Sequence, residues 1–138
     1  MNSTKPHCLV SACLIGLCTR YDGKSKGNAE CLRHLADFHW IPVCPEQLGG
    51  MPTPRTAAEI VGGDGHDVLA GHARVIDRNG IDRTEPFLKG ARMVLAIAQM
   101  QQITCCLLKS RSPSCGLDPK AGVTTALLRE HGITIISY

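Results

Sequence analysis

Three of the chain's cysteines stand in settings that suit metal chemistry better than packing. Cys115 lies in Lys109-Ser110-Arg111-Ser112-Pro113-Ser114-Cys115-Gly116, directly after an apolar stretch. Hydroxyls, cations and a thiol crowded together are poor core material. Cations and hydroxyl donors lower a thiol's pKa and favour the thiolate that binds metal, so this run predicts a ligating or reactive Cys115. Cys44 lies in Pro42-Val43-Cys44-Pro45-Glu46. There two prolines restrict the backbone around the thiol, and a carboxylate stands two residues on. Cys13 lies in Val10-Ser11-Ala12-Cys13-Leu14-Ile15-Gly16, whose small neighbours and glycine would admit a bulky group close to the backbone. A buried core thiol is the competing account of Cys13, because free cysteine is among the most buried residue types.

The chain holds 8 cysteines in 138 residues. Cys8 and the Cys105-Cys106 pair fall inside apolar runs, and Cys31 falls in a helical segment, so packing is their simpler account. Cys18 is a competing ligand, since Cys13-x4-Cys18 is a possible ligand pair. No C-x2-C pair occurs, which argues against a zinc ribbon or finger. The local ferredoxin spacings are absent too, so a cluster would have to be assembled from distant loops.

Those loops need elements to position them. His7 to Ile15, Trp40 to Val43, Thr104 to Leu108 and Ile133 to Ile136 read as strands. Asn28 to Phe38 reads as a helix with Asn28 as N-cap and an inner face of Leu32, Leu35 and Ala36. Glu85 to Gln101 carries apolar residues at helical spacing: Phe87, Leu88, Ala91, Val94, Leu95 and Ala98. Thr124 to His131 reads as a helix closed by Gly132. Leu17 to Gly27 and Gly49 to Arg55 read as loops. Val68 to Ile76 and Asp82 read as a hairpin around Asn79-Gly80. Strands alternating with helices predict one α/β domain over residues 1–138. Its sheet should be mostly parallel, with helices on both faces in a Rossmann-like three-layer arrangement. Ligands of such sheets bind at the carboxyl ends of the strands, where Cys13, Cys44 and Cys115 all fall.

Composition narrows the partners. Aromatics make up only 4% of the chain, too few for base-stacking platforms. A net charge of +3 suits a small anionic ligand and is weak for nucleic acid. Met1 to Pro6 is polar, and no export signal or membrane-length apolar run is read. The expected compartment is therefore the reducing cytoplasm, where cysteines serve more often as ligands than as disulfides.

Six ordered segments then carry a resemblance. They are VSACLIG (Val10 to Gly16), Arg20-Tyr21-Asp22-Gly23, PVCPE (Pro42 to Glu46), GGMPTPR (Gly49 to Arg55) with Ala58-Glu59-Ile60, Gly90-Ala91, and KSRSPSCG (Lys109 to Gly116). Together they resemble the thiouracil desulfidase family, small bacterial proteins long classed as a domain of unknown function. The resemblance runs from about residue 8 to the C-terminus. It implies a [4Fe–4S] cluster held by Cys13, Cys44 and Cys115, with the non-cysteine iron open to the substrate's sulfur. It implies Glu46 as the essential acid and Ser112 as the essential serine. The implied reaction is hydrolytic desulfuration of 2- or 4-thiouracil, or of 4-thiouridine monophosphate, giving uracil or its nucleotide plus sulfide. Iron would act as a Lewis acid, Glu46 as general base on water, and Ser112 as a substrate-orienting or proton-moving group.

The substrate-binding candidates are Arg20, Arg55, Lys109, Arg111 and Ser114, arginine being best suited to bidentate phosphate contact. Leu117 to Gly122 is brief where many relatives carry a longer loop, which implies an open site favouring a nucleotide over a free base. Relatives that act on transfer RNA carry a second domain missing here, so no nucleic-acid partner is expected. Two other readings compete. One is a cluster- or zinc-based redox or metal sensor closed by Cys18. The other is a thiol enzyme with Cys115 as nucleophile. Oligomeric state is not set by the sequence.

Overall fold

The structure, a computed structural model, describes residues 5–138; Met1 to Thr4, part of the polar start on which the export-signal reading rests, lie outside it. Strand β1 (His7–Ser11) is buried along all but its first residue. A continuous apolar run of this kind marks a strand covered on both faces. It pairs in parallel with β2 (His39–Val43) and with β5 (Cys105–Leu108), and β5 pairs in parallel with β6 (Thr134–Ser137). The strand order is β2-β1-β5-β6.

Alternate side chains of each strand point to opposite faces, and the core divides accordingly. Cys8, Val10 and Leu107 pack on one face with Leu14 and with Cys31 and Leu35 of α1 (Ala29–Leu35). Leu9, Cys106 and Leu108 pack on the other. There they meet Val94 and Ala98 of α4 (Thr84–Met100) and Leu128 of α5 (Val123–Glu130). This is the three-layer α/β/α arrangement expected from the sequence. No helix among the described residues is long and apolar enough to cross a membrane.

Several expectations need correction. The first apolar run is not one strand. It ends at Ser11 and turns through a short 3-10 segment, Ala12–Ile15, closed by Gly16 at φ 97°. Helix α1 buries Cys31 and Leu35 while Leu32 is exposed, so its inner face is rotated from the expected one. The Val68 to Ile76 hairpin arm forms only at its end, from Arg74 onward. Gly65–Leu69 is instead helix α3, held by a capping box between Asp64 and Asp67. β4 (Arg74–Asp77) pairs antiparallel with β3 (Ala58–Val61), a strand the sequence reading missed. The Asn79-Gly80 turn is present, organised by the Asp77 carboxylate, but beyond it only Ile76 and Asp82 bridge. This small sheet and α3 pack through Ile60, Val68 and Val75 onto Phe87, Ala91 and Val123.

The chain runs outward from β1 to β2 and from β5 to β6, so the order reverses between β1 and β5. A crevice outside the strand ends at such a switch point is the usual ligand site of this fold class.

Candidate active site

The crevice is a cavity of about 680 Å³. Loops after β1, β2 and β5 line it. Of the residues singled out from the sequence, Cys13, Cys44, Cys115, Glu46, Ser112, Ser114, Arg20, Arg55, Lys109 and Arg111 border it, and the competing ligand Cys18 does not. Ser11, Thr19 and Lys26 also line it and were not anticipated.

Each thiol has a local reason for its place. Cys13 sits in the 3-10 turn after β1, with its carbonyl accepting from the amides of Gly16 and Lys26. Cys44 is the N-cap of α2 (Pro45–Leu48), a one-turn helix with proline at its first position. Cys115 is fixed by the helix that follows. Val123 donates its amide to Pro113, Thr124 and Thr125 donate theirs to Ser114, and the Thr125 hydroxyl donates to the Cys115 carbonyl at 2.7 Å. Within the loop, Ser112 Oγ accepts from the amides of Ser114 and Cys115 at 3.1 and 3.0 Å.

Glu46 enters the cavity from α2. Its helix is seated against α4 through two glycines. A Cβ at Gly90 would meet the Pro45 carbonyl oxygen at 1.9 Å, and one at Gly49 would meet that of Pro86 at 2.1 Å. The Gly90-Ala91 motif therefore permits the close crossing that sets Glu46. Arg55 Nε donates to Glu46 Oε1 at 2.8 Å, and Ser114 Oγ donates to Oε2 at 2.9 Å. A carboxylate only accepts, so the single Ser114 hydroxyl hydrogen is committed to Glu46. The Ser112–Ser114 contact at 3.0 Å must then have Ser112 as donor. The result is a directed chain, Ser112 to Ser114 to Glu46. Ser112 thus orders the loop and reaches Glu46 only through Ser114.

The cations behave unequally. Lys109 Nζ donates to the Ser110 carbonyl at 2.9 Å, and burial pulls its ammonium pKa down, opposed by Cys13 and assisted by Arg20, Lys26 and Arg111. Arg20 lies against the Tyr21 ring and 3.6 Å from Asp22. Arg111 holds a left-handed backbone at φ 57°.

Burial works on the cavity thiols against the hydroxyls and cations that favour a thiolate. Burial pushes Cys115 up to about 12, although hydrogen bonds from Ser11 and Ser114 oppose it. Burial also raises Cys13, with Lys109 pulling the other way. Neighbouring hydroxyls and cations are present as the sequence suggests, but loss of water outweighs them. Cys44 borders the same cavity as Cys13 and Cys115, so the three thiols surround one space. Among the described residues, no three His, Cys, Asp or Glu are gathered tightly enough for a single metal ion. Three soft sulfur donors bordering a roomy cavity, with Lys109 beside Cys13 to balance negative charge, fit a thiolate-held iron–sulfur cluster.

The remaining cysteines separate from this group. Cys8, Cys31 and Cys106 are fully buried in the core, and Cys105 packs beside them. Cys18 is exposed and does not border the cavity.

Comparison with known proteins identifies the family and the fold. A family model described as 2-thiouracil desulfurase matches residues 8–138. The chain is 42% identical over 142 residues to YbbK, an uncharacterized protein of Bacillus subtilis (strain 168), covering 94% of this chain and 93% of the relative. Among solved structures it is similar to the [4Fe-4S]-dependent thiouracil desulfidase TudS. The identity is 39% and the TM-score 0.82, over 96% of this chain and 91% of that one. By a match spanning all three cysteine loops and the whole sheet, the chain belongs to the 2-thiouracil desulfurase family.

Proposed function

We propose that the chain hydrolyses the C–S bond of thiolated pyrimidines, using a [4Fe–4S] cluster held by Cys13, Cys44 and Cys115. The observation that carries this is the convergence of those three thiols and Glu46 on one cavity. The similarity to a solved [4Fe-4S]-dependent thiouracil desulfidase supports the same cofactor and substrate class.

When bound, the cluster would supply a thiophilic Lewis acid for the thiocarbonyl sulfur. The chain's own groups do the rest. Glu46 is oriented by Arg55 on one oxygen and Ser114 on the other, and each oxygen keeps a second lone-pair direction for a water. It takes the proton of that water as it adds to the ring carbon. Ser112, donating to Ser114, and Ser114, donating to Glu46, hold the carboxylate in place for that step. Arg20, Lys26, Lys109 and Arg111 make the lining cationic and suit the phosphate of 4-thiouridine monophosphate. The products are uracil or its nucleotide and sulfide. A reducing cytoplasm would keep the thiols available for iron.

The competing readings find less support. A closed sensor site needs a fourth ligand, and Cys18 stands outside the cavity. A Cys115 nucleophile acting alone leaves the convergence of Cys13 and Cys44 on the same cavity without a role.

The test is anaerobic reconstitution with iron and sulfide, then incubation with 4-thiouridine monophosphate and with 2-thiouracil. Loss of thiocarbonyl absorbance with sulfide release, dependent on reconstitution, is expected. A cluster-loaded chain that leaves every thiopyrimidine intact would overturn the proposal and favour a sensor.

A further inference from the structure

We infer that Arg55 is a positioning residue for this reaction: it locks the Glu46 carboxylate and the Cys44 loop into one rigid unit and is no ligand of the substrate. The inference rests on the desulfuration reading above. A guanidinium carries five N–H donors in a fixed fork. All five are met inside the protein. Nε donates to Glu46 Oε1 at 2.8 Å, and Nη1 donates to Thr53 Oγ1 at 2.8 Å and the Pro52 carbonyl at 3.2 Å. Nη2 donates to the Thr19 carbonyl at 2.9 Å and lies 3.9 Å from Cys44 Sγ. The Arg55 amide is tied as well, donating to the Tyr21 carbonyl at 2.7 Å. Its side chain is only 7% exposed, and that of Glu46 14%.

Three segments of the cavity wall therefore meet on one side chain: the loop after Cys13, the Cys44–Glu46 turn, and the loop at 52–55. To reach Arg55 by its two strongest donors, a phosphate would have to displace the part-buried Glu46 carboxylate or Thr19 carbonyl and leave it without that donor. Lysine offers three donors on one point charge without the fork, so it can restore only part of this five-donor set.

The experiment uses the cluster-loaded chain and its Arg55→Lys and Arg55→Gln variants, with iron and sulfide counted per chain and rates expressed per loaded cluster. Each is assayed on 4-thiouridine monophosphate and on 2-thiouracil, and binding of uridine monophosphate is measured without turnover. A misplaced general base costs about a hundredfold in rate, so Arg55→Gln is expected to lose roughly that much kcat on both substrates. KM and uridine monophosphate affinity should stay within about threefold of the unaltered protein, and Arg55→Lys should recover part of kcat. A rise in KM for the nucleotide alone, with matching loss of uridine monophosphate affinity, would make Arg55 a phosphate ligand and overturn the inference. Variants with unaltered kcat would overturn it too. An unaltered chain that loads its cluster and turns over neither substrate would instead remove the desulfuration reading on which it stands.

Discussion

Ser114 and Glu46 are 68 residues apart in sequence and meet across the cavity, with the serine hydroxyl donating to the carboxylate at 2.9 Å. The bond joins the loop after β5 to the helix after β2, so the acid and the Cys115 loop are placed by one contact. Ser112, behind Ser114, fixes the loop backbone through two amides. Substituting Ser114 by alanine leaves Glu46 Oε2 without its protein donor. The expected result is loss of kcat with the cluster retained, measured by turnover per iron.

The three cavity thiols should be distinguishable from the other five by iron content. Cys13→Ser, Cys44→Ser and Cys115→Ser are each expected to lose most reconstituted iron, because soft sulfur is replaced by a hard hydroxyl. Cys18→Ser should load normally, since Cys18 is exposed and outside the cavity. Loss of iron in the Cys18 variant would point to a fourth ligand and to the sensor reading.

Glu46→Gln separates cluster binding from chemistry. The amide keeps the shape of the side chain but cannot take a proton from water. Iron content and visible absorption should match the unaltered protein, and kcat should fall by about a hundred- to ten-thousandfold.

Gly90→Ala tests how the acid is seated. The added methyl would lie 1.9 Å from the Pro45 carbonyl, so α2 and α4 must move apart. Overpacking of this kind costs about 1–3 kcal/mol, measurable by urea unfolding. Because Glu46 rides on α2, kcat should fall as well.

Much of this was legible in the sequence, and the misses have physical reasons. The parallel sheet showed in the uninterrupted apolar runs of β1 and β5, and α4 showed in its three-and-four spacing. The cavity residues showed because hydroxyls, cations and thiols crowd beside strand ends where packing needs none of them. Helix α3 was missed because Gly65–Leu69 is a single short turn held by the Asp64–Asp67 capping box, a local signal overshadowed by the strong Asn79-Gly80 turn. β3 was missed because Ala58–Val61 is a four-residue strand with only Ile60 buried. The partners of Arg55 were not readable as a set, since Thr53 belongs to its own loop while Glu46 and Thr19 come from two other segments. The burial of Cys115 was not readable, because hydroxyls are visible in a sequence and burial is not.

Asp77 gives a prediction about acid stability. Burial pushes its carboxyl pKa up, but the amides of Ile81 and Asn79 and the Arg83 guanidinium outweigh this and hold it below its usual 3.8. A carboxyl depressed on folding stabilises the protein above the unfolded pKa, and that stability is lost as pH falls through the folded value. Asp77→Asn should therefore be less stable than the unaltered chain near neutrality. The gap should narrow as the pH drops below about 4, as read from urea midpoints across the range.

The central claim is that water replaces sulfur on the ring. The most direct measurement is a single anaerobic turnover of 4-thiouridine monophosphate in heavy-oxygen water, with mass analysis of the product and a sulfide assay. The account predicts one heavy oxygen in each product uridine monophosphate and one sulfide released per product. Product formed without the label, or a substrate left unchanged by the cluster-loaded chain, would contradict it.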